Sequence, residues 1–143
     1  MYISDINQTN IDIVKSFLIN IESINEIDLN ILENGVSIVN DENKICGYIT
    51  YERFYEYGLI RYFIFHKNLE YELINNLFLE LVKKASNNEI ESLIAIGDSK
   101  EVVNLFYRLN FYEIDFDNFV VNDHLLYGTD FENATILKYN INN

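Results

Sequence analysis

The chain has no proline, no tryptophan, one cysteine, one methionine and five glycines in 143 residues, and its ten lysines and arginines face 23 aspartates and glutamates. Each shortage excludes something. The lone thiol, Cys46, has no partner for an internal disulfide, which argues against a disulfide-stapled secreted scaffold and for a reducing, cytoplasmic setting. No N-terminal stretch joins a basic flank to an apolar run of signal-peptide length. No apolar run approaches the roughly 18 residues needed to cross a bilayer, so no membrane association is expected. At a net charge of −13 the chain lacks the basic face with which nucleic-acid binders displace counterions, and no nucleic-acid partner is expected. His66 and His124 have no cysteine or second histidine at a ligand spacing, so no metal site is expected.

What is present is a core. The hydrophobic fraction is 49%, with 11 tyrosines and 10 phenylalanines for bulk, enough for one domain over residues 1–143. The abundance of Asn, Ile and Tyr without any Pro has the look of AT-rich coding. The charge is uneven: residues 1–56 are strongly acidic, 112–143 are acidic again, and six of the ten basic residues (Arg61, Lys67, Lys83, Lys84, Lys100, Arg108) lie in between. Two readings stand: an ordinary solvated helix surface, or a middle segment that holds an anion between flanks that attract a basic partner.

The hydrophobic periodicities set an order of elements. "MYIS" reads as a strand, and residues 9–21 carry Ile11, Val14, Leu18 and Ile21 on one helical stripe. Ser23 with Glu26 forms a capping box for a second helix ending at Gly35. "GVSIVN" and "ICGYITYERF", separated by "DENK", predict a hairpin, and "GLIRYFIFH" a further strand. Residues 70–86 form the strongest amphipathic helix, followed by the buried-type strand "SLIAIG". Asp98 with Glu101 caps the next helix, and "FYEIDF" and "ATILKYNIN" close the chain as strands. The stretch 50–58 puts Tyr51, Tyr55 and Tyr57 on one parity. A continuous strand would align them as a face packed under a helix, as a contact between two copies of the chain in a homodimer, or as a receptor for an ammonium group.

The order β-α-α-β-β-β-α-β-α-β-β over the full chain, and the apolar skeleton of "FHKNLEYELINNLF" and "SKEVVNLFYRLNF" within residues 59–111, resemble the GNAT acetyltransferase superfamily. The resemblance implies an α/β fold with a mixed central β-sheet flanked by about four helices. It also implies acetyl-CoA as cosubstrate and N-acetylation of an amine, either a small molecule or a protein amino group. The family pattern V-x-P-x-h-R-G-x-G-h-G-x-x-L starts here at Phe65. The CoA pyrophosphate would meet the turn Glu70, Tyr71, Glu72, Leu73 and Asn75. Glu70 stands at the Arg or Gln position, and Tyr71, Leu73 and Asn75 at glycine positions. The pantetheine arm would run along the strand bearing Phe63 and Phe65, whose alternative is plain core. In the second pattern, Ser99 stands for Asn, Phe106 for the Tyr that often protonates the leaving thiolate, and Asn110 for Gly. Lys67, Lys100 and Arg108 remain to meet phosphates, which implies weak, salt-dependent binding.

Acetyl transfer needs a neutral amine, an oxyanion donor and a proton for the thiolate. Tyr107 is the hydroxyl next to Phe106, though one helical step of about 100° turns it away. Glu52, Glu56 and His66 lie near strand ends where the resemblance puts substrate-binding or base groups, and each is otherwise a solvated strand-end residue. His124 reads as loop and Cys46 as core. Two functions follow: an N-acetyltransferase, or a catalytically inactive scaffold of that fold serving as a binding or regulatory module.

Overall fold

A computed structural model describes residues 1–21, 24, 26–115, 120–121, 124–125 and 134–141. The elements are β1 (Tyr2–Asp5), α1 (Ile11–Ile19), a 3-10 helix (Leu29–Asn34), β2 (Val36–Val39), β3 (Ile45–Phe54), β4 (Tyr57–Phe65), α2 (Tyr71–Asn87), β5 (Ser92–Gly97), α3 (Lys100–Arg108), β6 (Tyr112–Ile114), β7 (Val120–Val121), β8 (His124–Leu125) and β9 (Thr135–Asn140). The strand order is β1-β2-β3-β4-β5-β9-β6, a mixed seven-stranded sheet, with a separate two-stranded β7-β8 ladder. The strands expected at 59–66 and 92–97 are neighbours and parallel, Tyr57 opposite Ser92 and Leu59 opposite Ile94. Among the described residues no helix is long and apolar enough to cross a membrane.

The residues fall into two compact units, Met1–Glu52 with Arg61–Ala85, and Arg53–Ile60 with Ser86–Asn143. In the first, Val14 and Leu18 of α1 pack with Ile6, Leu32, Ile45 and Tyr48, and Tyr62 and Ile64 close around them. The polar "DENK" makes the expected hairpin. Asn43 takes a left-handed backbone (φ 62°), and the Asn40 side chain accepts from the amides of Glu42 (2.9 Å) and Lys44 (3.0 Å). At Gly35 a Cβ would stand 2.6 Å from the Tyr48 ring and 2.7 Å from the Ile49 carbonyl, so only glycine lets the chain pass there. In the second unit, Leu59, Ile94 and Ile136 form the core with Phe54, Tyr57, Ile96 and Ile114 around them. Gly97 plays a similar part, since a Cβ would lie 2.6 Å from Val103 of α3.

Four sequence expectations are corrected. The second helix is a six-residue 3-10 helix capped by Asp28, whose carboxylate accepts from the Asn30 amide at 3.0 Å. The preceding stretch is rich in Ile and Asn, weak helix formers, and the Tyr62 hydroxyl holds its backbone at Glu26 and Asp28. Ser23, the other half of the expected capping box, lies outside the described residues. The cap of α3 is Ser99, which accepts from the Val102 amide at 3.2 Å, rather than Asp98. His124, expected in a loop, begins β8 opposite Val121. The three tyrosines do not share a face, because β3 ends at Phe54 and Tyr55 turns the chain with φ 57°. Tyr51 is buried, Tyr55 is 74% exposed, and Tyr57 stacks under the Lys138 ammonium at 5.4 Å.

Candidate functional site

In the first unit, β4 runs into α2 through a tight turn. The His66 amide donates to the Cys46 carbonyl (2.9 Å) and the Leu69 amide to the His66 carbonyl (3.1 Å). The Leu73 and Ile74 amides both donate to the Glu70 carbonyl (3.0 and 3.3 Å), which starts the helix. The amides of Glu70 and Glu72 have no partner among the described residues, as expected for a helix mouth, and they carry the positive end of a 17-residue dipole. The side chains at that mouth are less favourable to an anion. Glu70 and Glu72 are exposed carboxylates, and Tyr71, Leu73 and Asn75 are half-buried. None of these five has a left-handed backbone, so glycine at 71, 73 or 75 would serve close approach rather than conformation, and Asn75 makes no use of its tolerance for positive φ. His66 and Lys67 are exposed at the turn.

Upstream of the turn, Phe63 and Phe65 meet edge-to-face at 5.4 Å. Tyr62 has φ 51° in the middle of β4, a left-handed residue within an otherwise extended strand. Arg61 Nη1 donates to Glu52 Oε1 on β3, and its guanidinium carbon lies 5.2 Å from the Tyr62 ring centre. The Arg61 and Glu52 side chains are 35% and 24% exposed. The Tyr62 hydroxyl accepts from the Asp28 amide (2.8 Å) and donates to the Glu26 carbonyl (3.3 Å).

In the second unit, α3 ends in a Schellman motif. Asn110 adopts φ 72°, and the Phe111 and Asn110 amides return to the Phe106 and Tyr107 carbonyls, each at 3.0 Å. The Phe106 and Phe111 rings are 4.9 Å apart, the apolar contact that accompanies such an end. Phe106 is 4% exposed and Tyr107 43%. Desolvation and the Glu113 carboxylate, which accepts the Tyr107 hydroxyl at 3.3 Å, raise the phenol above its ordinary pKa and make it a poorer proton donor. Arg108 is exposed in the last turn, and Ser99 is occupied as the cap.

No family model and no curated protein matches the sequence. Solved structures do match. N-acetylglutamate synthase from Neisseria gonorrhoeae, complexed with coenzyme A and N-acetyl-glutamate, superposes with a TM-score of 0.77 at 15% identity over 99% of this chain and 35% of its own. An acetyltransferase of the GNAT family from Staphylococcus aureus gives 0.69 at 16% identity, with 99% of both chains covered. A GNAT family N-acetyltransferase from Escherichia coli in complex with CoA gives 0.66 at 10%, covering 99% of this chain and 81% of its own.

The chain has the GNAT fold. It spans about a third of the length of the N-acetylglutamate synthase it matches. Within the GNAT frame the sequence-derived site residues form three groups. Glu52 is tied to Arg61; Phe63, Phe65, His66 and Glu70 to Asn75 follow one another from β4 into α2; Ser99, Phe106, Tyr107 and Arg108 lie along α3. Glu56 stands apart, in the β3–β4 turn with its carbonyl on the Glu91 amide at 2.8 Å. Sequence reasoning did not pick out Tyr62 or the pairing of Arg61 with Glu52. A lone arginine inside the apolar run "GLIRYFIFH" was the available signal, since such a residue requires a counter-charge on a neighbouring strand.

Proposed function

We propose that this chain is an acetyl-CoA-dependent N-acetyltransferase acting on an amine. The observation that carries the reading is the GNAT-fold junction in which β4, with left-handed backbone at Tyr62, leads to the unpartnered Glu70 and Glu72 amides at the start of α2. Those amides would hold the CoA pyrophosphate, and Phe63 and Phe65 would flank the pantetheine arm. In the step itself the acceptor ammonium first loses a proton to water or a carboxylate. The nitrogen lone pair then attacks the thioester carbonyl, the C–N bond forms as the C–S bond breaks, and the thiolate takes up the second proton that nitrogen sheds. The α2 mouth fits phosphate through its backbone and opposes it through Glu70, so binding is weak and falls steeply with salt. Calorimetric titration with acetyl-CoA at low and high salt, together with thiol release in the presence of amines, tests this. Absence of acetyl-CoA binding at low salt would sink the reading.

One observation favours a second reading. Phe106 is buried without a hydroxyl, and Tyr107 is held by Glu113, so α3 offers no ready acid for the thiolate. A scaffold that binds CoA or a basic partner without turnover fits that arrangement. Acetyl-CoA binding with no thiol release for any amine would favour it.

A further inference from the structure

An arginine within an apolar strand is tolerated only with a partner, because an unpaired charge there loses its hydration without return. Arg61 has its partner in Glu52, and the pair sits half-exposed rather than in the core. The left-handed backbone at Tyr62 interrupts the alternation of β4 and brings Arg61 and Tyr62 to the same side, where the ring backs the guanidinium. The ring is itself fixed, through its hydroxyl, to the backbone of Glu26 and Asp28. The pair is therefore held from behind and only partly used. Among the described residues, Arg61 engages a carboxylate through Nη1, while Nε and Nη2 and the Oε2 of Glu52 have no protein partner.

We propose that Glu52 and Arg61 form the acceptor subsite and select a zwitterion: an amino acid whose ammonium lies on Glu52 and whose carboxylate lies on Arg61. This deepens, and rests on, the N-acetyltransferase reading. A guanidinium has five donors and a carboxylate about four acceptor positions, so an amino acid laid head to tail along the pair gains charge-assisted bonds at both ends without breaking the bond already there. A plain amine gains Glu52 but lies against the Arg61 charge, and a plain carboxylate has the reverse conflict. A neutral ion pair thus discriminates against singly charged ligands, which neither residue alone would do.

The test uses the full chain and two readouts. Calorimetry without CoA measures binding of the proteinogenic L-amino acids and of the amines that lack their carboxylates, and thiol release from acetyl-CoA is measured with the same compounds. At least one amino acid is expected to bind about 10-fold or more tightly than its decarboxylated amine, and Arg61→Gln should weaken that amino acid about 10- to 100-fold, the scale of one charge-assisted contact. Acetyl-CoA affinity should not move. Because Arg61→Gln leaves Glu52 without its partner and so threatens the folding of the strand pair, Glu52→Gln with Arg61→Met removes both charges together and should abolish the preference for the zwitterion in a folded protein. Equal binding of amines and amino acids, failure of every amino acid to bind, or an amino-acid affinity indifferent to these variants would overturn the proposal. Selective amino-acid binding without thiol release would instead overturn acetyl transfer and leave the zwitterion subsite standing.

Discussion

Replacing Lys84 by methionine tests how the first unit is held. Lys84 lies in the last turns of α2 with its side chain 18% exposed. Its ammonium donates to the carbonyls of Ile6 (2.9 Å), Glu33 (2.5 Å) and Gly35 (2.9 Å) and pairs with Asp5 at 2.6 Å. One side chain thus satisfies the backbone leaving β1, the end of the 3-10 helix and the residue entering β2. Hydrogen bonds to a charged group contribute roughly 1.5–3 kcal/mol each, but they are not additive and water can reach part of this site, so a total loss of about 3–5 kcal/mol is expected. With an unfolding entropy of about 2.1 cal/mol/K per residue, that lowers Tm by roughly 10–17 °C. Urea denaturation followed by circular dichroism measures the loss, and amide exchange at residues 33–36 localises it. Asp5→Asn is the control. Asp5 is 63% exposed, so removing the ion pair alone should cost under about 1 kcal/mol. If Lys84→Met also costs less than that, water satisfies the three carbonyls equally well and the lysine does not tie these segments together.

Glu70→Arg should tighten CoA binding about 10-fold at low salt. The substitution changes the charge by two units, each contributing roughly 0.7 kcal/mol at about 6 Å in a water-like dielectric, and added salt screens part of the gain; unchanged affinity by calorimetry would show that Glu70 does not face the pyrophosphate. Burial raises the Tyr48 phenol well above its ordinary pKa of 10, so above that pH the unfolded chain loses a proton that the folded chain keeps, and stability that is complete below pH 10 falls by about 1.4 kcal/mol per pH unit. Tyr48→Phe should cost about 1 kcal/mol at pH 7 through the lost bond to the Leu32 carbonyl, yet fall less steeply at alkaline pH; equal slopes in denaturation curves would refute this. Asn110→Gly should raise stability by up to about 1 kcal/mol and Asn110→Ala lower it by about as much, read as opposite shifts in Tm.

The strands and the long helix were legible because their apolar periods were long and uninterrupted: the helix read over 70–86 is found at 71–87, and the strand read at 92–97 lies there. The 3-10 helix was not, because Ile31 and Leu32 bury themselves equally well in either helical form and the backbone bonds of Glu26 and Asp28 to Tyr62 arrive from 34 or more residues away. The same holds at the candidate site. Glu52 was visible as a strand-end carboxylate, but its bond to Arg61 depends on strand neighbours. The left-handed backbone at Tyr62 has no signature in a residue type that ordinarily favours extended backbone. Ser99 displaced Asp98 as cap by one position, within the uncertainty of any boundary set by two adjacent capping residues.

The left-handed asparagine that ends α3 bears on how the gene constrains the protein. Among the described residues, five other than glycine take positive φ: Asn43, Tyr55, Tyr62, Glu89 and Asn110. Every glycine codon begins with two G bases, whereas asparagine can be written AAT and tyrosine TAT. In a gene drawn toward A and T, a turn that requires left-handed backbone can keep its geometry while its codon changes, with asparagine as the least strained substitute. Asn110 holds its turn intact with a codon that such a gene would favour. Glycine content is accordingly a poor gauge of lost chemistry in such a chain, and the positions to weigh are those where a side chain now stands in a ligand's path.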